Sequence, residues 1–259
     1  MAEQSRGVHL TQVHPHPEDN TETDVDIIAI HGLDTKSPDT WVWTSKHPGE
    51  RSVNWLADSH MLPREVGSAR IFTCDWQADL FQSSDMIPMV LEEITRHLLH
   101  GIEGRPSAPN DQPGREPRPI LFIASCLGGI ILMKALSLAD PNNCVRRATR
   151  GILFLATPFR GTAFQDVAIW AKPGLKTWAT VRGKEVTPLL DNVTTSTFDL
   201  RELVRKFTQL CKDNAPPFLV FNFYETGKTN LYHRIPLARY FPPRLLARKA
   251  KPSTKPRRP

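Results

Sequence analysis

The chain has 259 residues, 40% of them hydrophobic, which is enough to bury one substantial core. No apolar run approaches the roughly 20 residues that span a bilayer, and the N-terminus lacks the apolar centre of a secretory signal. We therefore expect a soluble cytoplasmic protein without a transmembrane segment. The net charge of +6 arises mostly in a basic C-terminal stretch, which argues against a nucleic-acid partner for the folded part. Four widely spaced cysteines without a C-x-x-C pair predict reduced thiols, and no metal or cofactor site is predicted.

Composition divides the chain into three segments. Residues 1–22 are polar and are expected to be flexible, although the alternation of apolar and polar residues from Val8 to Val13 is typical of an edge strand. Residues 23–230 carry the patterns of buried strands and amphipathic helices and form the predicted domain. Residues 231–259 are rich in Pro, Lys and Arg and are expected to be disordered.

The first buried strand of the domain is predicted at residues 24–30, and it leads directly into His31, Gly32 and Leu33. A His-Gly turn at the end of such a strand can direct a backbone N–H at a reacting carbonyl, and here the donor would be the N–H of Leu33. An ordinary strand-to-helix turn of a doubly wound sheet explains the same residues equally well when this stretch is considered alone.

The next strand is predicted at residues 69–76 and places Asp75 at its carboxyl end, where ligands bind in parallel sheets. A carboxylate there serves more often as a helix cap or as a partner of a neighbouring loop, and we favour that interpretation of Asp75. Between the two strands a helix is expected to begin near Ser52. The helical spacing of apolar residues predicts another helix from Met86 to His100.

The stretch from Pro119 to Ala139 predicts a buried strand, a sharp turn and a buried helix, which is the outline of a nucleophile elbow. In the G-x-nucleophile-x-G pattern, small residues stand two positions before and two positions after the nucleophile. Ala124 and Gly128 meet this requirement for Cys126, and Gly129 helps the helix to pack closely against the strand. Cys126 is therefore the predicted nucleophile.

A neighbouring hydroxyl is excluded, because the flanking positions for Ser125 are Ile123 and Leu127. The N-terminus of a helix favours the thiolate form of cysteine, which gives Cys126 the setting of a usable nucleophile. The N–H of Leu127 would complete an oxyanion hole with the N–H of Leu33. Attack on an ester or thioester carbonyl would then give an acyl-enzyme that water hydrolyses.

Further strands are predicted at residues 150–156 and 217–224, with a helix from Asp199 to Cys211 between them. This alternation of strands and helices predicts an α/β fold with a doubly wound, mostly parallel sheet that is covered on both faces. Glu225 follows the last strand, and His233 is the only histidine after it. In the chain order nucleophile, acid, histidine, these two residues are the candidate acid and base.

Three motifs together resemble a known family: IHGL at 30–33, SCLGG at 125–129 and LATPFRGT at 155–162. They are similar to the lipase/serine-esterase-like α/β-hydrolase domain at the N-terminus of fungal NOD-like receptors, and to the eukaryotic serine-active-site-containing proteins. The resemblance covers roughly residues 8–228. It implies an α/β-hydrolase fold, a small ester or acyl-lipid substrate, a protein partner in signalling, and association with mitochondria or the endoplasmic reticulum.

Two departures from the family pattern bear on function. The family has serine in an H-S-L-G-G context where this chain has Cys126, which changes the expected substrate preference. His233 lies only eight residues after Glu225, which leaves no room for the final helix and strand of the family. We therefore expect a fold that is incomplete at its C-terminal strand. A truncated or alternatively spliced product, or a faulty gene model, is favoured over an intact divergent enzyme.

Two functions remain open on the sequence. One is the hydrolysis of ester, thioester or lipid-like acyl substrates with Cys126 as the nucleophile. The other is a catalytically silent effector or interaction module of an immune or incompatibility receptor. The chain has no G-x-x-x-x-G-K-S/T motif, so nucleotide switching would lie elsewhere in such a receptor. A targeting role of the basic tail rests only on scattered Lys and Arg, and a solvated tail is the favoured interpretation.

Overall fold

The computed structural model describes the chain in part. It describes residues 7–19, 21–33, 35–37, 39–45, 47, 49–76, 81–83, 91–108, 111, 116–157, 159, 184–186 and 199–224, with the backbone alone at 81–83 and 184–186. Glu225, His233 and the segment 231–259 lie outside the described residues.

Ten strands and five helices are found in the described part. The strands are β1 (His9–His14), β2 (Val25–Ile30), β3 (Val42–Trp43), β4 (Val53–Asn54), β5 (Ala69–Asp75), β6 (Phe81–Ser83), β7 (Ile120–Ser125), β8 (Thr149–Leu155), β9 (Lys184–Val186) and β10 (Leu219–Phe223). The helices are α1 (Leu62–Val66), α2 (Leu91–Glu103), α3 (Leu127–Leu138), α4 (Cys144–Ala148) and α5 (Leu200–Asp213).

Six strands form one sheet in the order β1-β5-β2-β7-β8-β10. Five of them pair in parallel, and β1 pairs antiparallel with β5 at one edge. The parallel strands are near-continuous apolar runs, such as VDIIAI in β2, because both faces of a parallel sheet are covered. The predicted doubly wound, mostly parallel sheet is confirmed. The strands β3 and β4, and likewise β6 and β9, form separate antiparallel pairs.

The side chains of β2 alternate between two hydrophobic cores. Ile28 and Ile30 belong to the core that α2, α3 and α5 cover on one face of the sheet. Ile27 and Ala29 belong to the core on the other face, where Trp41 is buried. This period of two places successive side chains on opposite faces, so β2 is enclosed on both sides.

The edge strand predicted near the N-terminus is present as β1, which lies inside the segment 1–22. Its register on β5 runs from His9 opposite Asp75 to His14 opposite Ile71, with an irregularity after Gln12. The segment that was expected to be flexible thus supplies the antiparallel edge of the sheet.

The prediction of a helix that begins near Ser52 is wrong. Val53 and Asn54 form β4, which pairs with β3, and the next helix is α1. The indole rings of Trp41 and Trp55 meet edge to face with centroids 5.7 Å apart. Aromatic packing across the two short strands therefore outweighs local helix preference.

The helix predicted from Asp199 is present as α5. The Asp199 carboxylate caps it by accepting hydrogen bonds from the N–H groups of Arg201 and Glu202. Leu203 and Phe207 on its apolar side are buried in the core shared with α3. None of the described helices is both long enough and apolar enough to cross a bilayer.

Candidate active site

The turn between β7 and α3 has the geometry of a nucleophile elbow. Cys126 stands between the two elements with φ 50° and ψ −124°, and a positive φ of this kind costs a non-glycine residue on the order of 1–3 kcal/mol. Its N–H donates to the carbonyl oxygen of Leu155 on β8 at 2.9 Å, which holds the turn against the neighbouring strand. Ala124, two residues before Cys126, is fully buried in β7. The sharp turn places the partly buried thiol at the N-terminus of α3.

Two glycines let the first turn of α3 approach the ends of two strands. A Cβ on Gly128 would collide with the carbonyl oxygen of His31, and a Cβ on Gly129 would collide with the side chain of Thr157. Any larger residue at these positions would push α3 away from the sheet. The position of the elbow is therefore set by close backbone packing.

The loop after β2 lies directly against the elbow. A Cβ placed on Gly32 would come within 2.9 Å of the Cβ of Cys126 and 3.7 Å of its Sγ. Leu33 follows and packs, like Cys126, against the core covered by the helices. Within the described part of the chain, the N–H groups of Leu33 and Leu127 donate to no acceptor. Leu33 follows Gly32 and Leu127 follows Cys126, so their N–H groups are suited to bind a negatively charged oxygen beside the thiol.

His31 is fully buried, and both of its ring nitrogens are engaged. Nδ1 lies 2.8 Å from the carbonyl oxygen of Gly32, and Nε2 lies 3.2 Å from Oδ1 of Asp75. The ring also stacks on the indole of Trp76, with centroids 5.6 Å apart. Because these contacts occupy the imidazole, His31 is a support for the loop rather than a base for Cys126.

Asp75 is a partner of the same loop, which is the interpretation favoured from the sequence. Its Oδ1 accepts a hydrogen bond from the N–H of Ser37 at 2.8 Å and also contacts His31. Burial acts to raise the pKa of Asp75, but the hydrogen bonds from His31 and Ser37 outweigh burial and lower that pKa below its usual value. The carboxylate is therefore ionised near neutral pH.

The other three cysteines have different settings. Burial raises the pKa of the Cys74 thiol far above its usual value, and burial also raises the pKa of Cys211 to about 11. Cys144 is exposed at the start of α4. All four cysteines are reduced, and Cys126 alone stands at a strand-to-helix elbow.

A second strained turn adjoins the elbow, and sequence reasoning missed it. Ala156 has φ 52° at the end of β8, and its N–H donates to the carbonyl oxygen of Phe223 at 2.7 Å. The next side chain, Thr157, packs on the first turn of α3, and Phe159 meets Phe154 edge to face at 5.1 Å. The available signal was the LATPFRGT motif directly after a buried strand, but a positive φ at an alanine has no sequence signature.

The candidate acid and base, Glu225 and His233, lie outside the described residues. The site as described therefore consists of the elbow, the loop after β2 and the residues that support them. Within this described part, no three His, Cys, Asp or Glu side chains gather closely enough to hold a metal ion.

A mostly parallel sheet, a strained strand-to-helix turn with a nucleophilic side chain at its apex, and a His-Gly loop in contact with that turn occur together in this chain. The chain has an α/β-hydrolase fold. Its sequence matches no family model and no curated protein sequence.

Several solved structures are similar to this α/β-hydrolase chain. A lipase-esterase related protein from Clostridium acetobutylicum is 12% identical, with a TM-score of 0.43 over 90% of this chain and 96% of that one. Phospholipase PlaB from Legionella pneumophila is 15% identical, with a TM-score of 0.44 over 76% of this chain and 38% of that one. Alpha/beta hydrolase domain-containing protein 10 from mouse is 10% identical, with a TM-score of 0.42 over 88% of each chain. These similarities are too distant to transfer a residue's role or an activity to this chain.

Proposed function

We propose that this protein is a carboxylic-ester hydrolase in which Cys126 is the nucleophile and the N–H groups of Leu33 and Leu127 are the oxyanion donors. The observation that carries the proposal is the strained turn that holds Cys126 at the N-terminus of α3 with Gly32 in contact. Backbone strain persists only where the surrounding structure enforces it, and it is concentrated at active sites.

In the proposed reaction, the sulfur of Cys126 bonds to the carbonyl carbon of an ester or thioester, and the electron pair moves to the carbonyl oxygen. The intermediate then collapses, the bond to the leaving group breaks, and the alcohol or thiol departs with the proton that Cys126 gave up. Water attacks the resulting acyl-thioester, which releases the carboxylic acid and restores the thiol. The resemblance described in the sequence supports a small ester or an acyl-lipid as the substrate.

Hydrolysis of short-chain p-nitrophenyl esters and acyl-thioesters by the full chain tests this function. Cys126→Ala is expected to abolish hydrolysis because the covalent step is lost. Cys144→Ala is the matched control, since it removes an exposed thiol on α4 and should retain the wild-type rate. Circular dichroism of both variants verifies that they are folded. Undiminished hydrolysis by Cys126→Ala, or no hydrolysis of either substrate by the folded wild-type protein, would contradict the proposal.

The proposed general base is His233, with Glu225 as the acid that orients it. Their chain order after the nucleophile supports this assignment. We expect His233→Ala to lower kcat by about 10²–10⁴-fold, which is the usual contribution of a general base. His60→Ala removes an exposed histidine between β4 and α1 and should leave kcat unchanged. Equal kcat values in the two variants would remove His233 from the mechanism.

A second candidate function is a protein-binding module of a signalling receptor, which the resemblance to fungal NOD-like receptor domains implies. The observation that favours it is the apolar surface of β10 and the residue after it, where Leu219, Phe221, Phe223 and Tyr224 are between 53% and 80% exposed. Exposed apolar patches are typical of interaction sites.

The two candidates predict opposite results in cells. A binding module retains signalling in Cys126→Ala and loses it in Phe221→Thr, whereas a hydrolase shows the reverse pattern. From the resemblance to the serine-active-site-containing proteins we also propose association with mitochondria or the endoplasmic reticulum. Recovery of all of the protein in the cytosolic fraction after cell fractionation would contradict that association.

A further inference from the structure

The carbonyl oxygen of Gly32 accepts hydrogen bonds from two side chains of its own loop. His31 Nδ1 lies 2.8 Å from it, and the Thr35 hydroxyl donates to it at 3.2 Å. This oxygen belongs to the same planar peptide unit as the N–H of Leu33, and in a trans peptide the C=O and the N–H point in opposite directions. Fixing the Gly32 oxygen therefore fixes the direction of the Leu33 N–H.

Asp75 sets the orientation of the His31 ring. One carboxylate oxygen, Oδ1, lies 3.2 Å from His31 Nε2 and accepts a hydrogen bond from the Ser37 N–H at 2.8 Å. Asp75 therefore connects His31 and Ser37, which both lie in the loop after β2. The carboxylate and the Gly32 oxygen can only accept, so both ring nitrogens carry a hydrogen when both contacts are made. We assign the ring in this way because the alternative donor to Nε2, the Trp76 N–H, is farther away at 3.4 Å.

The pairing of these side chains follows from strand register. Ile30 on β2 stands opposite Cys74 on β5, so the next residues along the two parallel strands are His31 and Asp75. The Trp76 indole then stacks on the imidazole, and its Nε1–H donates to the His31 carbonyl oxygen at 3.0 Å. The His31 side chain is 1% exposed and the Asp75 side chain 34%. The imidazole is therefore enclosed between its two partners.

We propose that Asp75 is a positioning residue: through His31 and the Gly32 carbonyl group, it aims the Leu33 N–H at the oxyanion. This inference rests on the proposed function, since the oxyanion is the one formed when Cys126 attacks a carbonyl. Asp75 does not touch the substrate in this role. Because the oxyanion exists only along the reaction path, Asp75 acts on kcat and not on substrate binding.

The test compares Asp75→Asn with Asp140→Asn in the full chain. Asparagine has nearly the same shape and keeps an acceptor for the Ser37 N–H, but it carries no charge to pair with His31. Asp140 is the matched control, because it is an exposed aspartate beyond the far end of α3 that also accepts a backbone N–H, from Asn142 at 2.8 Å.

In Asp75→Asn, kcat for ester hydrolysis is expected to fall about 10- to 100-fold while KM changes by less than about threefold. Alkylation of Cys126 by iodoacetamide forms no oxyanion, so its rate is expected to match that of the wild-type protein. Asp140→Asn should retain both rates. Parallel losses of kcat and of alkylation in Asp75→Asn would indicate a general structural role and would overturn the proposal.

A second readout does not depend on turnover. The NMR resonances of the Gly32 carbonyl carbon and the Leu33 amide report on the peptide unit itself, and we expect them to move in Asp75→Asn but not in Asp140→Asn. If the wild-type protein hydrolyses no ester and these resonances still move, the proposed function fails while the control of the loop by Asp75 stands. Unmoved resonances, or a wild-type kcat in Asp75→Asn of an active enzyme, would overturn the role of Asp75.

Discussion

Cys126 is held in its strained conformation by neighbours on both sides. The loop after β2 lies against its Cβ at Gly32, and the first turn of α3 packs closely against the strand ends at Gly128 and Gly129. Gly128 and Gly129 could be predicted from the elbow motif, and Gly32 from the His-Gly turn after a buried strand. The contact between His31 and Asp75 could not, because it depends on the register of two strands whose sequences are far apart.

Gly129→Ala tests the close approach of α3 to β8. The added methyl group collides with the Thr157 side chain, so we expect the free energy of unfolding to fall by about 1–3 kcal/mol, as overpacking usually costs. Gly104→Ala is the control, since a Cβ there meets its nearest neighbour, the His100 carbonyl oxygen, at an ordinary 3.5 Å. Urea denaturation measures both variants. A Gly129→Ala protein as stable as Gly104→Ala would contradict the packing described for the elbow.

Asp75→Asn is also expected to change how stability depends on pH. The folded pKa of Asp75 lies below its unfolded value, which is about 3.9. The ionised carboxylate therefore stabilises the fold above about pH 4, and this stabilisation is lost as the pH falls through the folded pKa. The difference in unfolding free energy between the wild-type protein and Asp75→Asn should be largest near neutral pH and should shrink in acid. A difference that stays constant down to about pH 3 would rule out this linkage.

The ends of β2 and β5 that lie opposite the elbow are tied together by a buried ion network. Asp26 is fully buried and accepts from Arg70 Nε at 2.8 Å, Arg70 Nη2 at 3.0 Å and Arg105 Nε at 2.7 Å. Asp26 and Arg70 stand opposite each other in the same register that later brings His31 beside Asp75. The network thus helps to define the strand pairing that brings His31 beside Asp75.

Asp26→Ala is expected to destabilise the fold by about 3–5 kcal/mol, because it leaves the buried Arg70 and the partly buried Arg105 without their counter-charge. Asp24→Ala serves as the control two residues earlier, where an exposed carboxylate accepts a hydrogen bond from the Ser68 hydroxyl at 2.9 Å. Chemical denaturation measures the free energy of unfolding of both variants. Similar small losses in both would show that the network does not stabilise this pair of strands.

The spacing of apolar residues predicts the long strands and helices but not the two-residue strands. The buried strands β2, β5, β7 and β8 and the amphipathic helices α2 and α5 follow from the spacing of apolar residues. The two-residue strands β3 and β4 could not be predicted, because they are fixed by packing between Trp41 and Trp55 rather than by local preference.

The four inner strands of the described sheet are enclosed on both faces, whereas most of the side chains of the outer strand β10 are exposed. Phe218, just before this strand, is buried, whereas Phe221 and Phe223 within it are more than half exposed. A parallel strand is normally covered on both faces, so this surface departs from the pattern of the other strands. The sequence predicted the strand but not its exposure, because exposure depends on which other segments pack against it.

Substitutions in β10 and at the residue before it compare the exposed phenylalanines with the buried one. Phe221→Thr and Phe223→Thr keep strand preference and are expected to change the free energy of unfolding by no more than about 0.5 kcal/mol, while binding of the apolar dye ANS decreases. Phe218 is 6% exposed, and Phe218→Thr is expected to cost about 3 kcal/mol. Comparable losses of stability in all three variants would mean that the outer surface of β10 is covered in solution.

The covalent role of Cys126 is most directly tested by peptide mass mapping of the full chain after acid quenching during turnover of a short-chain acyl-thioester. The acyl group is expected on the peptide that contains Cys126 in the wild-type protein and in Cys144→Ala, and it is expected to be missing from that peptide in Cys126→Ala. Turnover with Cys126 unmodified, or an acyl group that accumulates at another residue with the same kinetics, would contradict the assignment of Cys126 as the nucleophile.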